Sequence, residues 1–393
     1  MMKSRTLNQF ILPKGILFSL PWLLNSALSR VLFITTHTKV ACLALGKEDV
    51  WVSVYRLALL FGAFVCARSF GMGVNRIVDR KIDQANPRTK NRLLCKNPDS
   101  LRIAKRITAL FLLGYISLSA LLGSTLFYLS FLGASVIALY SYMKRISWLC
   151  HLFLGAVQAF GVLVAYYCAD LLLPSSYFVT NAFLDSQTLL LNVAAWLWAL
   201  ALAFSMAGAD IIYSLSDWQF DTKHRLYSIP VTFGPKKAQR IAVTFLSFAL
   251  VFVFAVVTLW SFVHARNIFR IISSNVTANL TSNLSVDITG NMVSDLTNAA
   301  KISYQEPWAP SLMPCASMLF AALFFMVVWQ RPITMLYSFY RKTKTGITEG
   351  NQDESDESRW LSRFLSWQFA VAASSFYTLF YQMIFVMIYR VLG

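Results

Sequence analysis

The sequence predicts an all-α polytopic membrane protein of nine transmembrane helices, and three observations carry that expectation. Its 393 residues are 57% hydrophobic and only 13% charged, with a mean hydropathy of +0.55. Apolar runs near twenty residues recur along the whole length, about what a helix needs to cross a ~30 Å hydrocarbon layer. The bases are also unevenly spread, gathering in every second connection between those runs.

The nine runs fall at about residues 15–33, 52–71, 104–122, 124–141, 149–168, 188–209, 241–262, 312–330 and 368–389. Arg30 sits inside the end of the first, and only Gly123 and Ser124 part the third from the fourth. The basic start, MMKSRTLNQFILPKG, has no small-residue cleavage site after its apolar run, so the first span is expected to be retained. With nine spans, the N-terminus and the loops after spans two, four, six and eight share one side and hold most of the 35 Lys and Arg. Positive charge marks that side as cytoplasmic. A retained first span without a transit peptide favours a bacterial inner membrane.

The net charge of +17 suits anionic lipid headgroups or a phosphorylated substrate. It argues against a nucleic-acid partner, because the bases are dispersed over tethered loops rather than on one soluble face. The six cysteines form no Cys-x-x-Cys pair and read as small buried hydrophobes, not as disulfides or a thiolate metal site. The whole chain, 1–393, reads as a single membrane domain with two polar interruptions. Residues 263–308 form an Asn-, Ser- and Thr-rich external insertion, in which Asn275, Asn279 and Asn283 head Asn-x-Ser/Thr triplets. Such triplets also arise from composition alone. Residues 341–359 form a polar cytoplasmic loop with an acidic centre.

The cytoplasmic loops after spans two and six are different in kind. In NRIVDRKID, Asn75, Asp79 and Asp83 are spaced by four and so fall one turn apart on one helix face. Their oxygens resemble the hard ligands that Mg²⁺ accepts, water and phosphate filling its other positions. NPRTKNR follows; Pro87 is expected to stop the helix, and Arg88, Lys90 and Arg92 to offer cations to phosphate oxygens. The competing account is an amphipathic surface extension whose acids pair with Arg80 and Lys81.

The second stretch, GADIIYSLSDWQFDTKHRLYSIP, repeats the order of acids four apart, then bases, then proline. Asp217 and Asp221 form its row, Tyr213 extends it by a turn, and Asp210 shares that face roughly. Lys223 and Arg225 follow, and Pro230 is expected to end the element. Carboxylates at a membrane boundary are costly, about 2.5–3.5 kcal/mol each at the bilayer centre, so several together imply a hydrated cavity, metal or cationic partners. Two such rows on one membrane face suit two Mg²⁺ ions gripping a diphosphate and making C–O ionisation possible.

At these residues the chain resembles the UbiA superfamily of membrane prenyltransferases. Asn75, Asp79 and Asp83 with RTKNR resemble that family's first signature, and Asp217 with Asp221 its second. Tyr140, Lys144 and Arg145, in YSYMKR, are similar to its Tyr…Lys-Arg element. The resemblance implies a nine-helix fold with a site open to the cytoplasm. It also implies transfer of a polyprenyl group from its diphosphate, held through Mg²⁺, to an aromatic ring carbon. Most similar are 4-hydroxybenzoate polyprenyltransferases of ubiquinone biosynthesis, with the dihydroxynaphthoate branch of menaquinone biosynthesis as the alternative. Arg76 departs from the family, whose 4-hydroxybenzoate enzymes carry Asp directly after the motif Asn; this leaves the acceptor open.

On this reading Asn75, Asp79 and Asp83 hold one Mg²⁺ and Asp217 and Asp221 the other, while Arg88, Arg92, Lys144 and Lys223 bind the diphosphate. Asp210 and Tyr213 are candidates to place the acceptor or collect its ring proton, against a helix-packing role. Arg68, near the end of span two, either meets an acceptor carboxylate or snorkels to the headgroups. His151 and His224 have no ligand spacing and read as structural. Phe160 and Trp196 either line a groove for the tail or face lipid. A secondary transporter is the alternative of another class, but it expects acids near mid-span and helices broken by Gly or Pro.

Overall fold

A computed structural model of the chain describes residues 47–168 except Asn97, residues 186–284, and short stretches between 319 and 374. Its elements are α1 (Lys47–Val78), α2 (Arg80–Ala85), α3 (Leu93–Lys96), α4 (Pro98–Leu122), α5 (Ser124–Ile146) and α6 (Cys150–Tyr167). After these come α7 (Ser186–Ser214), a 3₁₀ turn (Leu215–Asp217), α8 (Trp218–Lys223), α9 (Ile229–Phe233) and α10 (Pro235–Leu284).

Among the described residues, six stretches are long and apolar enough to cross a membrane: Tyr55–Val78, Asp99–Leu122, Ser124–Ile146, Cys150–Tyr167, Asn192–Lys223 and Pro235–Leu259. They correspond to expected spans two to seven. The eighth run is met as the shorter apolar helix Ala321–Gln330. The first run, and the ninth apart from a few positions, lie outside the described residues, as does the 341–359 loop.

α10 runs on past the apolar segment into the polar stretch that starts at 263, continuing as helix to Leu284 and carrying Asn275, Asn279 and Asn283. No Gly or Pro lies between 263 and 284, and Asn, Ser and Thr weaken a helix by only fractions of a kcal/mol each. A helix begun in the apolar segment therefore has nothing to stop it.

The helices pack as two groups. α1 packs chiefly on α4, with α5 against both; α7 packs on α6 and α10, and the α5–α6 contact joins the groups. The larger core lies in the second group, around Val162, Trp198, Leu202, Val253 and Val256. Small residues let the backbones close in, as membrane helices require. At Gly155 of α6, an added Cβ would stand 2.3 Å from the Ala203 carbonyl oxygen of α7. Farther along the chain, Trp367 Nε1 donates to Ser205 Oγ of α7 at 2.9 Å, and Trp329 Nε1 to Ser374 Oγ at 3.0 Å. This pairing satisfies both buried indole N–H groups.

Candidate active site

Two cavities of about 160 Å³ each open among these helices. One is apolar, walled by α1, α4, α5 and α6 through residues such as Phe64, Leu126, Ile137 and Phe160. The other lies at the helix ends that bear the charged loops and is lined by Asn75, Asp79, Asp83, Asp210, Asp217 and Asp221 together with Arg88, Arg92, Lys144 and Tyr213. Tyr140 lines both, so the two cavities adjoin at its ring.

The first acid row survives a break in its helix. α1 ends at Val78 and α2 begins at Arg80, with Asp79 between them at φ −85° and ψ 2°. The amides of Asp79 and Asp83 still donate to the carbonyls of Asn75 and Asp79, at 2.9 and 2.8 Å, so the four-residue spacing continues through the joint. Asn75 Nδ2 donates to Asp79 Oδ2 at 3.2 Å. α2 stops at Asn86, extended at φ −83° and ψ 121°, the conformation that a following proline imposes. The turn beyond is fixed locally: the Arg88 amide donates to Asn86 Oδ1 at 3.0 Å, and Thr89 Oγ1 to the Asp83 carbonyl at 2.9 Å. That geometry turns Arg88 and Arg92 back toward the acids.

The second row is less regular than its spacing implies. Asp210 and Tyr213 belong to α7, Asp217 closes the 3₁₀ turn, and Asp221 lies in α8. The element ends at Lys223, well before Pro230, which instead stands in the first turn of α9. Ser228 caps that turn, accepting from the Val231 amide at 3.3 Å, and proline suits it because the first-turn N–H has no partner to lose. Lys223 is exposed at the end of α8 and is not among the residues lining the cavity.

Each acid of the polar cavity faces a base. Arg88 grips Asp217 through both Nε, at 3.0 Å, and Nη2, while its Nη1 donates to the Tyr213 hydroxyl at 2.6 Å. Asn86 Nδ2 donates to Asp217 Oδ1 at 3.1 Å, so the first loop is tied to the second acid row. Arg92 Nη1 donates to Asp83 Oδ2 at 2.6 Å. The last turn of α5 then splits its two bases: Arg145 Nη2 donates to Asp79 Oδ1 at 2.9 Å, and Lys144 Nζ lies 3.0 Å from Asp221 Oδ2. That carboxylate oxygen is buried, and the ammonium beside it compensates its charge. Burial pushes the Asp79 carboxyl up to about 6, against the pull of Arg145 and Lys144. Burial also works against the Arg88 charge, but hydrogen bonds to Asp217 and Tyr213 outweigh it and hold the guanidinium above its ordinary value.

Residues 32–273 match the UbiA prenyltransferase family. The chain belongs to that family. Among its relatives, the 4-hydroxybenzoate octaprenyltransferase of Shewanella woodyi is 26% identical over 212 residues, 53% of this chain and 66% of the relative. That of Pseudomonas aeruginosa (strain LESB58) is 29% identical over 170 residues, 43% of this chain and 51% of the relative. The chain thus spans between half and two thirds of the length of these curated relatives. The apo structure of a UbiA homolog from Aeropyrum pernix K1 is 24% identical, covers 80% of this chain and 98% of its own, and superposes with a TM-score of 0.50. This shared architecture is the UbiA fold.

Within this UbiA chain, the residues singled out for the diphosphate and metals line one cavity, Lys223 excepted. Arg76, the departure from the family pattern, does not line it; its Nε is buried without a hydrogen-bond partner. Arg68 lines the apolar cavity, and its Nε is buried without a hydrogen-bond partner. Phe160 lines the apolar cavity, whereas Trp196 is half exposed, outside it, and donates to the Tyr167 hydroxyl at 3.0 Å. Sequence reasoning assigned no role to Asn86 and read His151 as structural. Asn86 carried the signal of an Asn-Pro turn; His151, a lone histidine on an apolar helix, carried none.

Proposed function

We propose that the chain transfers a polyprenyl group from polyprenyl diphosphate to an aromatic acid, 4-hydroxybenzoate or a close relative, at the cytoplasmic face of a bacterial inner membrane. The observation that carries this reading is the junction at Tyr140: a cavity of paired acids and bases opens beside an apolar cavity. A diphosphate with a long hydrocarbon tail has that same division. The whole chain is read as one membrane domain serving this site.

The donor set fits Mg²⁺. Asn75, Asp79 and Asp83 on one side, and Asp217 and Asp221 on the other, offer hard oxygens to one cavity, and Asp221 Oδ2 is buried with the Lys144 ammonium beside it. Among the described residues no three His, Cys, Asp or Glu stand close enough to hold a metal unaided. That suits Mg²⁺, which takes one or two carboxylates and completes its shell with water and substrate phosphate. When bound, Mg²⁺ supplies charge neutralisation to the departing diphosphate.

The protein's own residues do the rest. Arg88, Arg92 and Lys144 line the cavity and donate to diphosphate oxygens, as charge-assisted donors do, and so stabilise the negative charge that the leaving oxygen gains when it keeps the electron pair of the allylic C–O bond. The apolar walls hold the tail and keep water from the allylic cation, leaving the π electrons of the acceptor ring to form the new C–C bond. Arg68 receives the acceptor carboxylate from within the apolar cavity. Asp210 and Tyr213 border the ring, and the proton that the ring carbon sheds as aromaticity returns passes to Tyr213 or to the released diphosphate. Purified full-length chain in detergent, given farnesyl diphosphate, Mg²⁺ and either labelled 4-hydroxybenzoate or labelled dihydroxynaphthoate, tests the proposal. A prenylated product from one acceptor is expected. No product from either, with Na⁺- or H⁺-driven uptake in vesicles, refutes it in favour of a transporter.

A further inference from the structure

His151 is a buried ionisable side chain of the polar cavity to which the foregoing reading gives no task. It is 1% exposed, sits in the first turn of α6, and lines the polar cavity beside Tyr140, Cys150 and Asp210. Its Nδ1 lies 2.7 Å from Asp210 Oδ2, across 59 residues of sequence. Its other ring nitrogen, Nε2, is buried and has no hydrogen-bond partner. A histidine retained only for packing satisfies both nitrogens or exposes one to water, because a buried polar atom without a partner costs about 1–3 kcal/mol.

Two ordinary explanations fail. A metal is a poor account, because the Mg²⁺ that suits the neighbouring carboxylates takes oxygen ligands and not an imidazole nitrogen. A helix-packing role explains the Asp210 contact and leaves Nε2 unexplained. What remains is a ligand that brings its own hydrogen-bonding group. Leu154 and Gln158, one and two turns farther along α6, line the apolar cavity, and at these spacings they share His151's side of the helix. His151 therefore stands where that face passes from the apolar cavity to the polar one, as Tyr140 does on α5.

We infer that His151, held by Asp210, is the subsite for the ring hydroxyl of the aromatic acceptor. The inference rests on the prenyltransferase reading and sharpens it: the acceptor is a phenolic acid, gripped by its carboxylate at Arg68 and by its hydroxyl at His151 Nε2. Asp210 fixes one nitrogen of the ring, and the other meets the substrate. A hydroxyl both donates and accepts, so it matches Nε2 in either charge state of the imidazole, and a C–H matches neither. His151 is then the residue that selects phenols. Asp210 acts through it, as a positioning residue.

The test is equilibrium binding of 4-hydroxybenzoate and of benzoate to the full-length protein in detergent, with Mg²⁺ and inorganic pyrophosphate present. Both acids carry the carboxylate and only the first carries the hydroxyl. Wild type is expected to bind 4-hydroxybenzoate on the order of ten-fold more tightly, since benzoate leaves Nε2 unsatisfied. His151→Leu is expected to bring the two acids within about two-fold, through weaker binding of the hydroxy acid, and to leave pyrophosphate affinity unchanged. Asp210→Asn should raise KM for the phenol more than it lowers kcat, and 4-hydroxybenzoate should lose more than benzoate.

Equal binding of the two acids by wild type overturns the inference. So does a preference for the phenol that persists in His151→Leu. Should that variant not fold, His151→Met, a flexible side chain of similar bulk without a ring nitrogen, carries the same comparison. Failure of the underlying reading looks different: wild type then binds neither acid and forms no prenylated product from farnesyl diphosphate.

Discussion

The two cavities have similar volume and meet at one tyrosine, yet they are built by opposite rules. Arg68 and Gln158 aside, the apolar cavity is walled mostly by side chains that need only be hydrophobic and of suitable size. The polar cavity depends on pairs between residues remote in sequence: Arg88 with Asp217, Lys144 with Asp221, Arg145 with Asp79 and His151 with Asp210. A packed wall tolerates exchange among apolar residues. A buried charge deprived of its partner does not, because its desolvation is then uncompensated. Substitutions should therefore act gradually on one side of Tyr140 and abruptly on the other.

The largest effect is expected at Asp217. Asp217→Ala removes the acceptor for both Asn86 and Arg88 and should lower the prenyl-transfer rate on the order of a thousand-fold or more. Pyrophosphate binding should fall with it, while thermal unfolding in detergent still shows a single transition. A rate within ten-fold of wild type over a range of Mg²⁺ concentrations would remove the metal assignment and with it the contrast between the cavities. Asp79→Ala belongs to the same class.

Lys144→Ala should come next. Its expected cost is roughly a hundred-fold in kcat/KM for the diphosphate, through loss of one charge-assisted contact, and steady-state kinetics at saturating acceptor would read it. Gly155→Ala tests the helix contact beneath the site. Its Cβ would meet the Ala203 carbonyl, so α6 and α7 must separate, costing about 1–3 kcal/mol. His151 lies one turn from Gly155, so acceptor affinity should drop along with the melting temperature, and diphosphate affinity should change less.

The mildest change is expected on the apolar side. Gly161 lines that cavity, and an added Cβ there would meet nothing within 4 Å. The first carbon of a Gly161→Phe side chain therefore meets no clash, and its ring should take up cavity space, leaving turnover of geranyl diphosphate nearly intact and lowering it about ten-fold for octaprenyl diphosphate. A series of chain lengths assayed side by side measures this. Equal rates for all lengths would mean that the tail runs elsewhere.

What was legible in the sequence follows from how local each signal is. The apolar runs and the two rows of acids spaced by four are properties of short segments, and they led to six of the expected spans and to the acids that line one cavity. The break at Asp79 and the 3₁₀ turn at Leu215–Asp217 were not legible, because no Gly or Pro marks either. The order of acids, bases and proline misled at Pro230, which begins a helix instead of ending one. Lys223 obeyed that order and yet is exposed and does not line the cavity, since it lies two residues past the buried Asp221 and so about 200° round α8. His151 could not be found from spacing: its partner Asp210 is on another helix, and only the packing of α6 on α7 brings them together.

The last turn of α5 holds a further consequence. Lys144 and Arg145 are neighbours in sequence, about 100° apart around the helix, and they answer to different acid rows. One helix thereby phases both halves of the site, like a single key cut on two edges. Inserting or deleting one residue between Gly133 and Tyr140 would swing both cations away from their acids at once, while a hydrophobic exchange in the same stretch would be absorbed. Length variation among descendants of this sequence should therefore be excluded from that segment even where its composition drifts freely.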